Sequence, residues 1–271
     1  MTTPSRLTRR QMLRLSGSSL LAAGLWPGAL GAQKNQVADF HFLVVNDFHY
    51  LNERCVPWFE SLVKQIKAHR EKIDFLLVVG DLVEDGKPEQ LEPMRDLLKK
   101  LDLPVHVVVG NHDHRPPDDR KHYEEIFPKS INYHFEQYAW QFIGLDSSDG
   151  TKAKVSVQPP TLTWLDDNLH RLDKKKPMVV FTHFPLGALT PYRVVNADKV
   201  LERFKEFNLK AVFNGHFHGF TERKHGETIL TTNRCCSFSR KNHDGTKEKG
   251  YFLCHARDGK IERSFVEMKL V

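Results

Sequence analysis

The sequence predicts a single α/β domain over residues 36–271, and two observations support this fold class. Short runs rich in Val, Leu, Ile and Phe alternate with longer segments in which apolar residues recur at helical spacing. The apolar runs are continuous, which is typical of strands covered on both faces of a sheet. Hydrophobic residues make up 40% of the chain and charged residues 27%, so the composition is that of a globular protein and not of a disordered or polytopic membrane protein.

The first half of the domain alternates predicted strands with predicted helices. Strands are predicted over 39–46, 74–79 and 104–109, because each run is β-branched or aromatic and ends at a polar or glycine-marked turn. Helices are predicted over 56–70 and 89–101, and the first of them carries Phe59, Leu62, Val63 and Ile66 at helical spacing.

The second half is predicted to be mixed. Residues 131–136 and 139–145 read as neighbouring strands, and 177–182 and 210–214 as two more. A helix is predicted over 160–172, with leucines on one face and Pro160 near its start. Three further strands, 228–232, 250–256 and 260–267, are expected to form a final antiparallel meander.

Residues 1–32 have the features of an export signal. Four arginines and no acidic residue precede an apolar stretch from Leu15 to Leu30, and small residues follow. The string from Thr8 to Arg14 resembles the twin-arginine signal of bacteria, so we expect export to the periplasm or beyond the cell through that machinery. The alternative is an uncleaved N-terminal anchor, although the stretch is short and broken for a membrane span.

Charge argues against a nucleic-acid partner. The whole chain carries +6, but removal of the four arginines in 1–32 leaves 36 basic against 34 acidic residues, or +2. A charge this small gives no support to binding of nucleic acid or of a membrane surface. The four cysteines, Cys55, Cys235, Cys236 and Cys254, form no C-x-x-C pair. They are either buried thiols or include one disulfide from Cys254 to Cys235 or Cys236.

Five polar motifs follow predicted strands directly. In open α/β sheets, ligand sites gather beyond the carboxyl ends of the strands. Carboxylates, imidazoles and an amide at such positions form a ligand set for metals that prefer N and O donors. The motifs are Asn46-Asp47-Phe48-His49, Gly80-Asp81-Leu82-Val83-Glu84, Gly110-Asn111-His112-Asp113, His183-Phe184-Pro185 and Gly215-His216-Phe217-His218.

In this order and combination, the motifs resemble those of the calcineurin-like metallophosphoesterases, over about residues 39–220. The segment 158–169 also resembles the bacterial cyclic-nucleotide-phosphodiesterase branch of that family. The resemblance implies two mixed β-sheets packed as a sandwich and flanked by helices, in four layers α/β/β/α. It also implies a dinuclear metal centre, with Fe and Mn as the usual pair and Zn or Co as alternatives.

The resemblance assigns a role to each motif residue. Asp47, His49 and His218 would bind the first metal, and Asn111, His183 and His216 the second. Asp81 would bridge both ions, which need a shared anion because they repel one another. A hydroxide bridging the two metals would attack phosphorus, and His112, oriented by Asp113, would protonate the leaving oxygen. Glu84 is expected to be a solvated carboxylate and not a ligand.

Substrate contacts are less well defined by the sequence. The candidates are His114, Tyr192, Arg193 and Arg234, the last in a basic segment at 233–249 that reads either as a cationic lid or as a solvated turn. The expected function is hydrolysis of a small, cyclic-nucleotide-like phosphodiester. A phosphomonoesterase is the alternative, and a nuclease or an inactive scaffold is disfavoured because the chain is nearly neutral and retains every motif residue.

Overall fold

The computed structural model describes residues 39–270, so the predicted export signal at 1–32 lies outside the described residues. The strands are β1 Phe40–Val45, β2 Ile73–Val79, β3 Val105–Val108, β4 Tyr133–Gln137, β5 Trp140–Leu145, β6 Met178–Thr182, β7 Leu209–Asn214, β8 Thr221–His225, β9 Thr228–Thr232, β10 Gly250–Arg257 and β11 Lys260–Glu267. The α-helices are α1 Val56–Lys67, α2 Pro88–Lys99, α3 Lys121–Ile126, α4 Pro159–Asn168 and α5 Ala197–Glu202. Short 3₁₀ helices cover Glu53–Cys55, Asn111–Asp113 and Leu169–Arg171.

The strands form two mixed sheets. The first has the order β11-β10-β1-β2-β3, in which β1, β2 and β3 are parallel and β10 and β11 are antiparallel to their neighbours. The second has the order β4-β5-β6-β7-β9-β8, with four parallel strands in its middle and an antiparallel strand at each edge. In each sheet the parallel strands bring their carboxyl ends to one edge.

The two sheets pack face to face through aromatic side chains. Phe142 of β5 meets Phe42 of β1 edge to face at 5.7 Å and Phe75 of β2 at 5.1 Å between ring centroids. At the edge of the sandwich, His106 of β3 stacks on Phe135 of β4 at 3.6 Å, with the rings 7° from parallel. These contacts make one continuous apolar layer between the sheets.

Helices cover the outer face of each sheet. Phe59, Leu62 and Ile66 of α1 pack on the first sheet, together with apolar residues of α2. Leu165 of α4 and Val200 of α5 pack on the second sheet. The layers therefore run α/β/β/α, and the predicted two-sheet sandwich is confirmed.

Most predicted elements lie within a few residues of the observed ones, with two kinds of error. The predicted meander is wrong in its first strand, because β9 pairs in parallel with β7 in the second sheet, whereas β10 and β11 form the expected antiparallel pair and extend the first sheet. Strand β8 and the short helices α3 and α5 were not predicted, because β8 is polar and the helices have only six residues each.

The described residues hold four free thiols and no membrane-spanning helix. All four cysteines are buried and free, so the alternative disulfide from Cys254 does not form. Cys254 lies in the apolar layer between the sheets, whereas Cys236 lies in the core under α1. Among residues 39–270, no helix has the length and apolarity required to traverse a bilayer.

Candidate metal centre

The five predicted motifs meet at the carboxyl ends of parallel strands from both sheets. Asp47, Asp81 and Asn111 follow β1, β2 and β3, while His183 and His216 follow β6 and β7. Backbone hydrogen bonds join neighbouring motifs, from the Asp47 N–H to the Gly80 carbonyl at 3.1 Å and from the Gly215 N–H to the His183 carbonyl at 2.9 Å. The two sheets thus place the motif side chains around one point.

Five motif residues adopt left-handed backbone conformations. The φ angles are 55° at Asp47, 48° at His49, 51° at Asp81, 62° at His216 and 48° at His218. Residues other than glycine seldom occupy this region, and strain of this kind concentrates at functional sites. The left-handed turns aim consecutive polar side chains inward immediately after an extended strand.

A first cluster contains Asp47, His49, Asp81 and His218, all buried. The Nε2 atoms of His49 and His218 lie 3.0 Å apart, and His218 Nε2 lies 3.2 Å from Asp47 Oδ1. Two ligands that each lie ~2.1 Å from one metal ion at right angles would be separated by ~3 Å. The spacing therefore suits a single transition-metal ion.

A second cluster contains Asp81, His183 and His216. His183 Nε2 lies 3.2 Å from Asp81 Oδ2 and 3.2 Å from the side-chain oxygen of Asn111, which therefore belongs to the same cluster. The ring centroids of His183 and His216 are 5.1 Å apart. Two imidazoles, a carboxylate and an amide oxygen provide N and O donors on one side of a second ion.

Asp81 belongs to both clusters. Its Oδ1 accepts a hydrogen bond from the His112 N–H at 2.9 Å. Its Oδ2 is buried and accepts no hydrogen bond within the described residues, yet it lies 3.5 Å from His49 Nε2 and 3.2 Å from His183 Nε2. A buried carboxylate oxygen that faces two imidazole nitrogens without a hydrogen bond is placed to share a cation with them. The residues present therefore fit a pair of metal ions that share Asp81.

The buried charges of the centre also favour cations. Burial opposes protonation of His183 and His218, but the neighbouring carboxylates outweigh it and raise their pKa values to about 9 and about 11, respectively. His216 responds in the opposite direction, because burial and the nearby His183 lower its pKa to about 3. The pKa of Asp81 falls well below its ordinary value, despite burial, chiefly through His183. The centre thus keeps its carboxylates ionised.

Three of the four histidines have a backbone carbonyl on their outer nitrogen. His183 Nδ1 donates to the Val79 carbonyl at 3.0 Å, and His218 Nδ1 to the Lys241 carbonyl at 3.3 Å. His216 Nε2 contacts the Ala153 carbonyl at 3.2 Å. His49 differs, because its Nδ1 lies 3.1 Å from a carboxylate oxygen, Oε2 of Glu84. Such outer contacts fix the tautomer and orientation of imidazoles that bind metals.

Glu84 is therefore not the solvated carboxylate that the sequence suggested. Its side chain is 17% exposed and contacts both His49 and the guanidinium of Arg240. Burial raises the pKa of Glu84, but hydrogen bonds from His49 and Arg240 outweigh it and lower the pKa to about 2. The contact with Arg240 spans 156 residues of sequence, so no local pattern could have indicated it.

The expected contact between His112 and Asp113 is absent from the described residues. The two oxygens of Asp113 accept the N–H groups of Val83 at 3.1 Å and Gly110 at 2.8 Å, so Asp113 holds the turn together. His112 Nδ1 instead donates to the backbone carbonyl of Glu84 at 2.8 Å. The His112 ring lies beside that of His49, with 4.7 Å between centroids, and remains partly exposed.

Only one of the four candidate substrate contacts faces the centre. Tyr192 is 47% exposed, and its ring lies 5.2 Å from that of His216. His114 is buried, contacts the Ser148 hydroxyl at 2.9 Å and lines a separate polar cavity of about 410 Å³. Arg193 is occupied by the Leu186 carbonyl and Asp198. Arg234 donates to Thr246 and stacks 4.9 Å above the Phe265 ring, away from the clusters.

The segment 233–249 is partly buried and partly solvated. It is irregular, but Asn233, Cys235, Cys236, Ser237 and Asn242 within it are buried. Backbone hydrogen bonds tie it to the centre, from the Cys236 N–H to the Asn46 carbonyl at 3.0 Å and from the His243 N–H to the His218 carbonyl at 3.1 Å.

Relatives of known function resemble this chain over most of its length. A glycerophosphodiester phosphodiesterase of Enterobacter lignolyticus is 28% identical over 64% of this chain and 66% of its own length. A 3′,5′-cyclic-nucleotide phosphodiesterase of Nostoc is 26% identical over 74% of this chain and 77% of its own length. A cyclic-AMP phosphodiesterase of Vibrio vulnificus is 23% identical over 77% and 78%.

Solved structures share the fold at low sequence identity. A purple acid phosphatase from yellow lupin superposes with a TM-score of 0.66 at 11% identity, over 88% of this chain and 53% of that one. The sequence model that describes calcineurin-like phosphoesterases matches residues 40–220, which include every residue of the two clusters. On that match, together with the two-sheet fold, the chain belongs to the calcineurin-like phosphoesterase family.

Proposed function

We propose that this protein is an exported, dinuclear-metal-dependent phosphodiesterase that acts on small diesters of the cyclic-nucleotide kind. The observation that carries the proposal is Asp81, whose buried Oδ2 accepts no hydrogen bond among the described residues and is shared by two clusters of N and O donors. The family match and the phosphodiesterase relatives support a metal-dependent phosphoester hydrolase. We extend this activity to one substrate class, small diesters of the cyclic-nucleotide kind.

The metal centre would be held by the residues of the two clusters. Asp47, His49 and His218 would bind the first ion, Asn111, His183 and His216 the second, and Asp81 both. When bound, two divalent ions lower the pKa of water to near neutrality and neutralise phosphoryl oxygens. We propose Fe and Mn as the pair, and the N and O donor set is also compatible with Zn or Co.

His112 is the group of this chain that would move a proton. Its Nδ1–H is committed to the Glu84 carbonyl, which leaves Nε2 for the substrate. When Nε2 is protonated, it can give that proton to the leaving oxygen as the phosphorus–oxygen bond breaks. The ring is partly exposed beside His49, so a substrate can reach it.

Three arginines of the second half and the segment 233–249 are engaged by other groups. Arg193 and Arg234 are bound elsewhere, and Arg240 is paired with Glu84. A diester carries one negative charge, whereas a monoester carries up to two at neutral pH and would gain more from free guanidinium groups. These three guanidinium groups are not free to meet a second negative charge, which supports a monoanionic diester as the substrate.

Hydrolysis of two chromogenic esters tests the proposal directly. Bis(p-nitrophenyl) phosphate and p-nitrophenyl phosphate are compared on purified protein with added Mn²⁺, and metal content is measured on the same sample. We expect two ions per chain and a higher kcat/KM for the diester. Faster turnover of the monoester would contradict the substrate class, and a chain without bound metal would contradict the mechanism.

Export rests on residues 1–32 alone, which contain the Arg9-Arg10 pair. We propose that the mature protein resides in the periplasm or outside the cell after leaving through the twin-arginine machinery. Fractionation of cells that express the wild type and a double Arg9→Lys, Arg10→Lys variant tests this. Equal export of both proteins would contradict the proposed route.

A further inference from the structure

Glu84 differs from the backbone carbonyls that meet the outer nitrogens of the other three histidines. His183, His216 and His218 contact backbone carbonyls, which strand-end geometry holds in place. The outer nitrogen of His49, Nδ1, instead lies 3.1 Å from a side-chain carboxylate oxygen of Glu84. A side-chain acceptor has rotamer freedom, so it orients an imidazole only if another group holds it.

Arg240 supplies that second contact. Its Nε lies 3.0 Å from Glu84 Oε2, and its Nη2 contacts Oε1, so the guanidinium engages both carboxylate oxygens. Bidentate pairs of this kind add geometric specificity to charge. Arg240 lies in the segment 233–249, beyond the 40–220 region that matches the family.

The backbone that carries Arg240 is itself held. The Arg240 N–H donates to the Ser237 hydroxyl at 3.0 Å. The Lys249 ammonium donates to the Ser237 carbonyl at 2.7 Å and also contacts the Arg240 carbonyl. These contacts fix the turn that carries the Arg240 guanidinium. The Arg240 side chain is 40% exposed and extends inward to Glu84.

The same residue also anchors His112, through its backbone. The Glu84 carbonyl accepts from His112 Nδ1 at 2.8 Å, while the Glu84 side chain contacts His49. A shift of Glu84 would therefore move one candidate metal ligand and the candidate general acid together.

We propose that the Glu84–Arg240 pair is a positioning device that sets the orientation of His49 and His112, so that the segment 233–249 is required for activity. The loss of activity expected from this inference rests on the proposed function. The consequence of the inference for metal binding does not depend on which substrate the centre hydrolyses.

A double-mutant cycle tests the pair. Glu84→Gln, Arg240→Ala and the double variant are compared with the wild type in two measurements: titration of the metal-free protein with Mn²⁺, and steady-state hydrolysis of bis(p-nitrophenyl) phosphate at saturating Mn²⁺. We expect each single change to weaken one of the two metal sites by ~10–100-fold and to leave the other unchanged. We also expect kcat to fall ~10-fold or more with KM within about twofold, because a positioning residue does not contact the substrate.

The double variant is the decisive sample. If Arg240 acts only through Glu84, the double variant loses no more than the worse single variant. Arg240→Lys should restore part of the metal affinity, and Lys247→Ala, which removes one exposed positive charge from the same segment, should change neither measurement. Arg240 is partly exposed, so its variants preserve the fold better than changes at Glu84.

Three outcomes would overturn the proposal. Losses in kcat that add up across the cycle would mean that the two residues act independently. An increase in KM alone for Arg240→Ala would mean that Arg240 contacts the substrate. Unchanged metal affinity in both single variants would remove Glu84 from the centre. If the wild type binds two ions but hydrolyses no diester, the proposed function fails, and the metal titrations still decide the role of the pair.

Discussion

Gly110 offers a test of the shared carboxylate without altering any candidate ligand. It lies just after β3 with a φ of −109°, a conformation open to any residue, so Gly110→Ala introduces no backbone strain. An added Cβ, however, would lie 2.2 Å from Asp81 Oδ1 and 2.4 Å from Asp81 N. Since real Cβ contacts essentially never fall below 3.0 Å, the carboxylate or its backbone must retreat by roughly 0.8 Å.

A displacement of that size exceeds what a metal site tolerates. Distances between metal ions and their ligands hold to ~0.2 Å, and a misplacement of ~1 Å in an active site costs ~10²-fold in rate. Because Asp81 belongs to both clusters, we expect Gly110→Ala to lower the affinity for both ions and to reduce diester kcat/KM by ~10²-fold. Elemental analysis and hydrolysis of bis(p-nitrophenyl) phosphate measure the two effects.

Gly226→Ala is the matched control. Gly226 lies in the turn between β8 and β9 with a φ of 58° and has no atom within 4 Å of an added Cβ. Its replacement costs ~1 kcal/mol of backbone strain but creates no clash, so activity should be retained. Two bound ions and a kcat/KM within threefold of wild type in Gly110→Ala would refute the steric argument and, with it, the role of Asp81.

Three further predictions concern the proton donor, the metal and acid stability. His112→Ala should keep both ions but lower kcat for the diester by ~10²–10⁴-fold. Metal content is measured on the same sample, and loss of metal would mean that His112 is a ligand. Removal of metal with EDTA should lower Tm by roughly 5–10 °C in calorimetry, because ions at ~100 times their Kd contribute ~2.7 kcal/mol to the free energy of unfolding. An unchanged Tm would contradict metal binding at the centre. Burial lowers the pKa of His106 from 6.5 to about 4. The unfolded chain therefore binds a proton more readily, and stability that is complete above pH 6.5 is lost as pH falls towards 4, by about 2 kcal/mol at pH 5. Denaturant unfolding of wild type and His106→Phe at pH 7 and pH 5 should reveal this difference, and equal losses in both proteins would contradict it.

The sequence predicted the strands and the motifs because both depend on local pattern. Runs such as 74–79 must be buried whatever surrounds them, and motifs at strand ends meet whenever the strands are parallel. The sheet to which β9 belongs depends instead on pairing with β7, which no property of residues 228–232 specifies. The wrong meander has this cause.

Side-chain partners were predicted least well. Arg234 and Arg240 occur in the same basic segment and differ in nothing that composition can detect, yet one stacks on Phe265 and the other pairs with Glu84. The expected contact of Asp113 with His112 failed for a related reason, because both oxygens of Asp113 accept backbone N–H groups of the turn that places it. Contacts between distant segments depend on the folded geometry and not on spacing.

Five residues of the centre have left-handed backbone conformations, namely Asp47, His49, Asp81, His216 and His218. These conformations cost free energy that interactions elsewhere in the fold must offset. Asparagine or glycine at Asp47 or Asp81 would relieve the backbone and remove a buried charge at the same position. In the absence of metal, selection for thermostability alone would therefore erase the centre while leaving the two sheets intact. A descendant of this chain that no longer needed metal should become more heat-resistant through substitutions concentrated at its strand ends.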